Sequence, residues 1–132
     1  MSAELRVLVF PCCNEPGLEV VDALRRHPRV TVFGAASTPR VTDPATPLLG
    51  ERRKTLPSID EPGFDDALRA VCASERITHI FATVDAVVAH VAALDLGSTR
   101  FVGPAPGVAA LVLSKSAVYA RVADAVPVPR AA

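Results

Sequence analysis

The hydrophobic pattern along the chain changes period several times, and each change marks an element. Residues Leu5 to Phe10 (LRVLVF) make a short, nearly continuous apolar run, as a strand buried on both faces of a parallel sheet does. After a loop from Pro11 to Pro16, Leu18, Val21 and Leu24 recur at helical spacing, with Glu19, Asp22, Arg25 and Arg26 on the other side; Pro28 ends this helix. Arg29 to Gly34 (RVTVFG) alternates and is β-branched, which predicts a second strand and a right-handed βαβ unit. Ala35 to Gly50, broken by Pro39, Pro44 and Pro47, reads as a long loop of the functional or mobile kind, and Arg53 to Leu56 as a short third strand.

The cleanest amphipathic stripe opens at Pro62, where Phe64, Ala67, Leu68, Val71 and Cys72 share one helical face and put Cys72 in the core. Ile77 to Val84 predicts a fourth strand, Asp85 an N-cap for a helix over Ala86 to Leu94, Thr99 to Val102 a fifth strand, and Gly103 to Gly107 a turn. Strands alternating with helices predict an α/β, Rossmann-like, doubly wound and mostly parallel five-stranded sheet over residues 1–113, with 114–132 a separate following segment.

Composition narrows the class. A chain of 132 residues suits one core, and its 14 basic and 14 acidic residues cancel, which argues against nucleic acid as a partner. The apolar stretches at Ala86 to Leu94 and Val108 to Leu113 fall short of the roughly 20 residues that span a bilayer, so no membrane role is expected. Cys12, Cys13 and Cys72 form neither a disulfide framework nor a zinc spacing; a cytoplasmic location is the simplest expectation.

In an open α/β sheet, ligands bind beyond the carboxyl ends of the strands. The loops there are Pro11 to Gly17, Ala35 to Thr38 and Thr83 to Asp85. Asn14, Glu15, Pro16 and Gly17 precede a helix, and their amides suit a carboxylate or phosphate; the alternative is that Asn14 and Glu15 only cap the helix. Thr83 and Asp85 carry the same two readings. The dinucleotide fingerprint is missing and Glu15 would repel a pyrophosphate, which argues against NAD. No histidine is spaced to form a dyad with Cys12 or Cys13, and His27, His79 and His90 are scattered, so no catalytic or metal-binding residue is assigned.

Taken in order, strand one with NEPGLEVVDAL, the strand ending FGAAS, the stretch LPSIDEPGFDDALRAVCASERITHIFATVD and the terminal SKSAVYARVADAVPVP resemble the N-terminal pre-ATP-grasp domain of ATP-grasp ligases, nearest to the carbamoyl-phosphate-synthase-like and carboxylate–amine ligase branches. The resemblance implies a domain bordering the acceptor side of an active site in an enzyme that activates a carboxylate as an acylphosphate with ATP and Mg²⁺. It implies that Asn14 to Gly17, Thr83 and Asp85 face a small carboxylate or amine substrate or the domain junction. It also implies that Lys115 reaches ATP phosphate, a solvated surface lysine being the alternative. Ser114 stands where the family usually has Asp, and Ala125 where it has Gly before Val126 and Pro127. The implied reading frame continues past Ala132 into an ATP-grasp domain holding the magnesium ligands, so the chain alone is expected neither to catalyse nor to hold a cofactor tightly. Val118 and Val122 would then be loosely packed or pair with a second copy as a homodimer. Two other readings are a stand-alone binding or interaction module, and a small nucleotide-binding protein of flavodoxin-like topology.

Overall fold

The computed structural model describes residues 4–130. Five strands, β1 (Leu5–Phe10), β2 (Val30–Ala36), β3 (Arg53–Thr55), β4 (His79–Ala82) and β5 (Arg100–Phe101), form one all-parallel sheet in the order β3-β2-β1-β4-β5. Helices α1 (Glu15–Leu24), α2 (Thr46–Leu49), α3 (Phe64–Ser74), α4 (Asp85–Ala92), α5 (Pro106–Val112) and α6 (Lys115–Val122) complete the chain. This is the Rossmann-like doubly wound architecture. Its strand order is the first five strands of the Rossmann order 3-2-1-4-5-6 and differs from the 2-1-3-4-5 order of flavodoxin-like proteins.

Each face of the sheet has its own core. Leu8, Phe33 and Ile80 lie in register on one face, which α3 covers with Phe64, Leu68 and Cys72 and α4 with Val87 and Val91. Cys72 is buried there, as its helical position predicts. The opposite face presents Val9, Val32 and Ala36 to Val21 of α1 and Leu49 of α2. Because β1 is packed on both sides, its inner residues read as a continuous apolar run rather than an alternation.

The proline-containing segment is more ordered than a loop. Two short 3₁₀ turns (Arg40–Thr42 and Gly50–Arg52) flank α2, and Pro47 sits in that helix's first turn, where its missing N–H costs nothing. Residues Pro106 to Val112 are likewise helical where the sequence suggests a turn running into an apolar stretch; Pro106 opens the helix and Ala109 is buried. Helix α6 packs on α5 and buries no residue, while Val118 and Val122 are half-buried rather than exposed. The exposed apolar side chains nearby are Val108, Val112, Leu113 and Val126.

Gly34 in β2 is needed for close packing. A Cβ there would lie 2.4 Å from Leu49 Cδ1 and 2.8 Å from Cys12 Cβ. Gly34→Ala should therefore cost about 1–3 kcal/mol of stability through overpacking. A urea midpoint equal to that of the parent chain would mean that Leu49 and Cys12 withdraw freely.

Candidate functional site

The direction of winding reverses between β1 and β4. From β1 the chain passes by α1 to β2, and β4 on the other side of β1 leads into α4 on the opposite face. The crevice outside the carboxyl ends of these two strands is the topological switch point, the usual ligand position in such sheets. It is bordered by residues 11–17 and 83–85, two of the three loops that the sequence singles out.

Hydrogen bonds join these loops directly. The Thr83 hydroxyl donates to the Pro11 carbonyl at 2.7 Å and lies 3.2 Å from Asn14 Oδ1. Asn14 is the N-cap of α1, its Oδ1 accepting from the Gly17 amide at 2.8 Å. Gly17 is buried, and a Cβ would meet the Pro11 oxygen at 2.4 Å and Asn14 Oδ1 at 2.6 Å, so the residue is fixed by the tight turn. Asn14, Gly17 and Thr83 thus converge in one network. Glu15 and Pro16 stand exposed beside it in the first turn of α1.

The available amides are on the other helix. Pro16 has no N–H and the Gly17 N–H is already held, which leaves α1 little with which to receive an anion. Asp85 does not cap α4: Val84 occupies the N-cap without a side-chain bond, and Asp85 is the first helical residue. Extended backbone at Val84 shifts the helix start by one residue, so the Asp85 carboxylate sits in the first turn, where the dipole favours it. The amides of Asp85, Ala86 and Val87 have no partner among the described residues.

The second loop is set by an ion pair that the sequence does not announce. Arg53, the first residue of β3, and Asp43 in the proline-containing segment are both completely buried, with Arg53 Nε 2.5 Å from Asp43 Oδ2. Arg53 also donates to the carbonyls of Thr38 and Lys54, and to Thr55 Oγ1 at 3.1 Å. Asp43 Oδ1 accepts from the Ala45 amide at 2.8 Å, turning the chain into α2. One guanidinium thereby fixes the loop after β2 against β3. Alternation marks Arg53 as the start of a strand but cannot reveal that its partner lies ten residues earlier in a proline-rich stretch.

The two adjacent cysteines have different surroundings. Cys12 is buried with Sγ 3.8 Å from Asp43 Oδ2, whereas Cys13 is half-buried and accepts from Thr38 Oγ1 at 3.6 Å. Burial, reinforced by the Asp43 carboxylate and opposed by Arg53, pushes the Cys12 thiol up to about 12. Such a thiol is protonated at neutral pH and is a poor nucleophile.

Lys115 is exposed at the first position of α6, and Ser114 caps the helix by accepting from the Ala117 amide at 3.3 Å. Of the three histidines, His90 pairs with Asp65 at 2.6 Å and stacks edge-on with Phe64, away from the switch point. Among the described residues no group of three or more His, Cys, Asp or Glu is arranged to hold a metal ion. No described helix is long and apolar enough to cross a membrane. Two cavities, of about 760 and 360 Å³, are lined by none of residues 11–17, 35–38 or 83–85; the smaller lies at the start of α3, beyond the carboxyl end of β3.

Two outcomes follow from the buried cluster. Asp43→Ala, by leaving the Arg53 charge unpaired in the interior, should cost about 3–5 kcal/mol in urea unfolding; a loss below 1 kcal/mol would show that water reaches the guanidinium. The Cys12 thiol ionises near 9.0 when unfolded and near 12 when folded, so the unfolded chain releases its proton first. The stability this lends is complete below pH 9 and is lost as pH rises towards 12. Cys12→Ala should flatten that alkaline decline, and an unchanged slope would assign it to other groups.

No protein-family model matches the chain, and no curated protein matches its sequence.

Proposed function

We propose that the chain is the substrate-side domain of an ATP-dependent ligase of the ATP-grasp type, presenting its switch-point crevice to a small carboxylate or amine and leaving ATP and Mg²⁺ mainly to another body. Lys115 carries this reading. An ammonium group at the first position of a helix is opposed by the helix dipole, so the fold spends a fraction of a kcal/mol to hold two positive potentials at one exposed point. That arrangement suits an incoming phosphate. The absence of buried residues in α6 further supports a helix that presents itself to a second domain.

The crevice itself suits a small polar acceptor. Asn14 and Thr83 make a preformed floor, and the free amides at the start of α4 supply donors at the same edge. A stand-alone binding module shares this floor but gives Lys115 no task.

Calorimetry with a panel of amino acids and dicarboxylates, and separately with MgATP, tests the division of labour on the parent chain and on Lys115→Ala. The expected result is a saturable response to a carboxylate or amine in both proteins, with MgATP binding no tighter than the millimolar range in either. Micromolar MgATP binding that is lost in Lys115→Ala would make the chain a nucleotide site unaided. No response to any member of the panel would remove the substrate-wall role.

A further inference from the structure

At the amino edge of the sheet, opposite the switch point, the end of α3 and the approaches to β4 and β5 border the open cavity of about 760 Å³. Arg69 and Arg76 line it, together with Asp95, Thr78, Ser98 and Thr99. We propose that this cavity binds a small phosphate group, held between the guanidinium groups of Arg76 and Arg69 with the Ser98 hydroxyl as a further donor.

Arg76 has φ 50°, the sole positive φ at a non-glycine position among the described residues. It follows α3 at the turn where the Ile77 amide returns to the Cys72 carbonyl at 2.9 Å and the Arg76 amide to Ala73 at 3.2 Å. Glycine takes this left-handed position most readily, because any Cβ crowds the backbone there. Arg76 is exposed, lines the cavity and makes no side-chain hydrogen bond or ion pair among the described residues, so its guanidinium is free to meet a ligand there.

The neighbouring charges leave room for an anion. Arg69 donates through Nε to the Asp95 carbonyl at 3.0 Å and lies 3.4 Å from Asp66 through Nη1, which leaves Nη2 uncommitted. The Asp95 carboxylate is turned to the Gly97 amide at 2.9 Å, and Glu75 is engaged by Lys54 at 2.5 Å and by Arg6 at 3.7 Å. The Thr78 and Thr99 hydroxyls donate to the carbonyls of Arg6 and Ile77. Ser98 has no such commitment. With two arginines and one carboxylate among its lining residues the cavity favours an oxyanion, and the planar donor forks of arginine match phosphate oxygens.

Thermal unfolding in inorganic phosphate and in glycerol phosphate, at ionic strength matched with chloride, tests the proposal. For the parent chain the midpoint should rise and saturate with one or both probes, and the lower half-saturating concentration identifies free phosphate or a phosphomonoester as the source. Arg76→Gly relieves the left-handed strain, so without phosphate it should melt a few degrees higher than the parent while losing the phosphate-dependent rise. Arg76→Asn, which also tolerates this conformation, should lose the same rise and serves if the glycine variant folds poorly. A parent midpoint indifferent to both probes, or an equal rise in these variants, would overturn the assignment. The cavity lies at the amino edge of the sheet and Thr83 at the carboxyl edge, so its failure leaves the ligase reading standing and the reverse also holds.

Discussion

The buried pair of Arg53 and Asp43 is the constraint on which the carboxyl edge depends. Strand β3 has three residues and cannot by itself fix the long connection that precedes it. A guanidinium with no solvent contact must find partners for its nitrogens, and here all three have them, in Thr38, Asp43, Lys54 and Thr55. No buried side-chain polar atom among the described residues lacks a partner. Replacing the pair by hydrophobic residues of similar volume is often neutral or stabilising in other proteins, so its value here lies in geometry. It holds the loop after β2, and with it Thr38 beside Cys13, in one position.

That order allows a second, smaller network to serve as a floor. Thr83 links the end of β4 to the Pro11 carbonyl and to Asn14, closing the crevice where the winding reverses. The residues that would be read as ligand groups therefore spend part of their hydrogen-bonding capacity on each other. The outward capacity of this edge is at the start of α4, where the amides of Asp85, Ala86 and Val87 have no partner among the described residues. A shallow wall with donors on one side needs another body to enclose a ligand, which is the arrangement proposed for the ligase.

The sheet was legible because its inner strands are buried on both faces and read as apolar runs, and α3 because its stripe is regular over two turns. Boundaries moved where a side chain could not report backbone geometry: β4 is shorter than its apolar run, and Asp85 falls inside its helix because Val84 is extended. Helix α2 is obscured by the prolines around it, although Pro47 is itself a helix-start signal, and α5 likewise begins at Pro106, between two glycines that suggest a turn. Asn14 and Thr83 could be placed at one edge from sequence, but their meeting depends on β1 and β4 being neighbours. The Arg53–Asp43 pair and the strain at Arg76 left no mark in pattern or composition, since both are set by tertiary contacts and backbone conformation.

Amide chemical-shift mapping during titration with a small carboxylate would test most directly whether the switch point is the substrate wall. The account predicts saturable shifts concentrated at residues 12–18 and 83–88, and their loss in Thr83→Val. Shifts confined to other surfaces, or unaffected by that substitution, would contradict it.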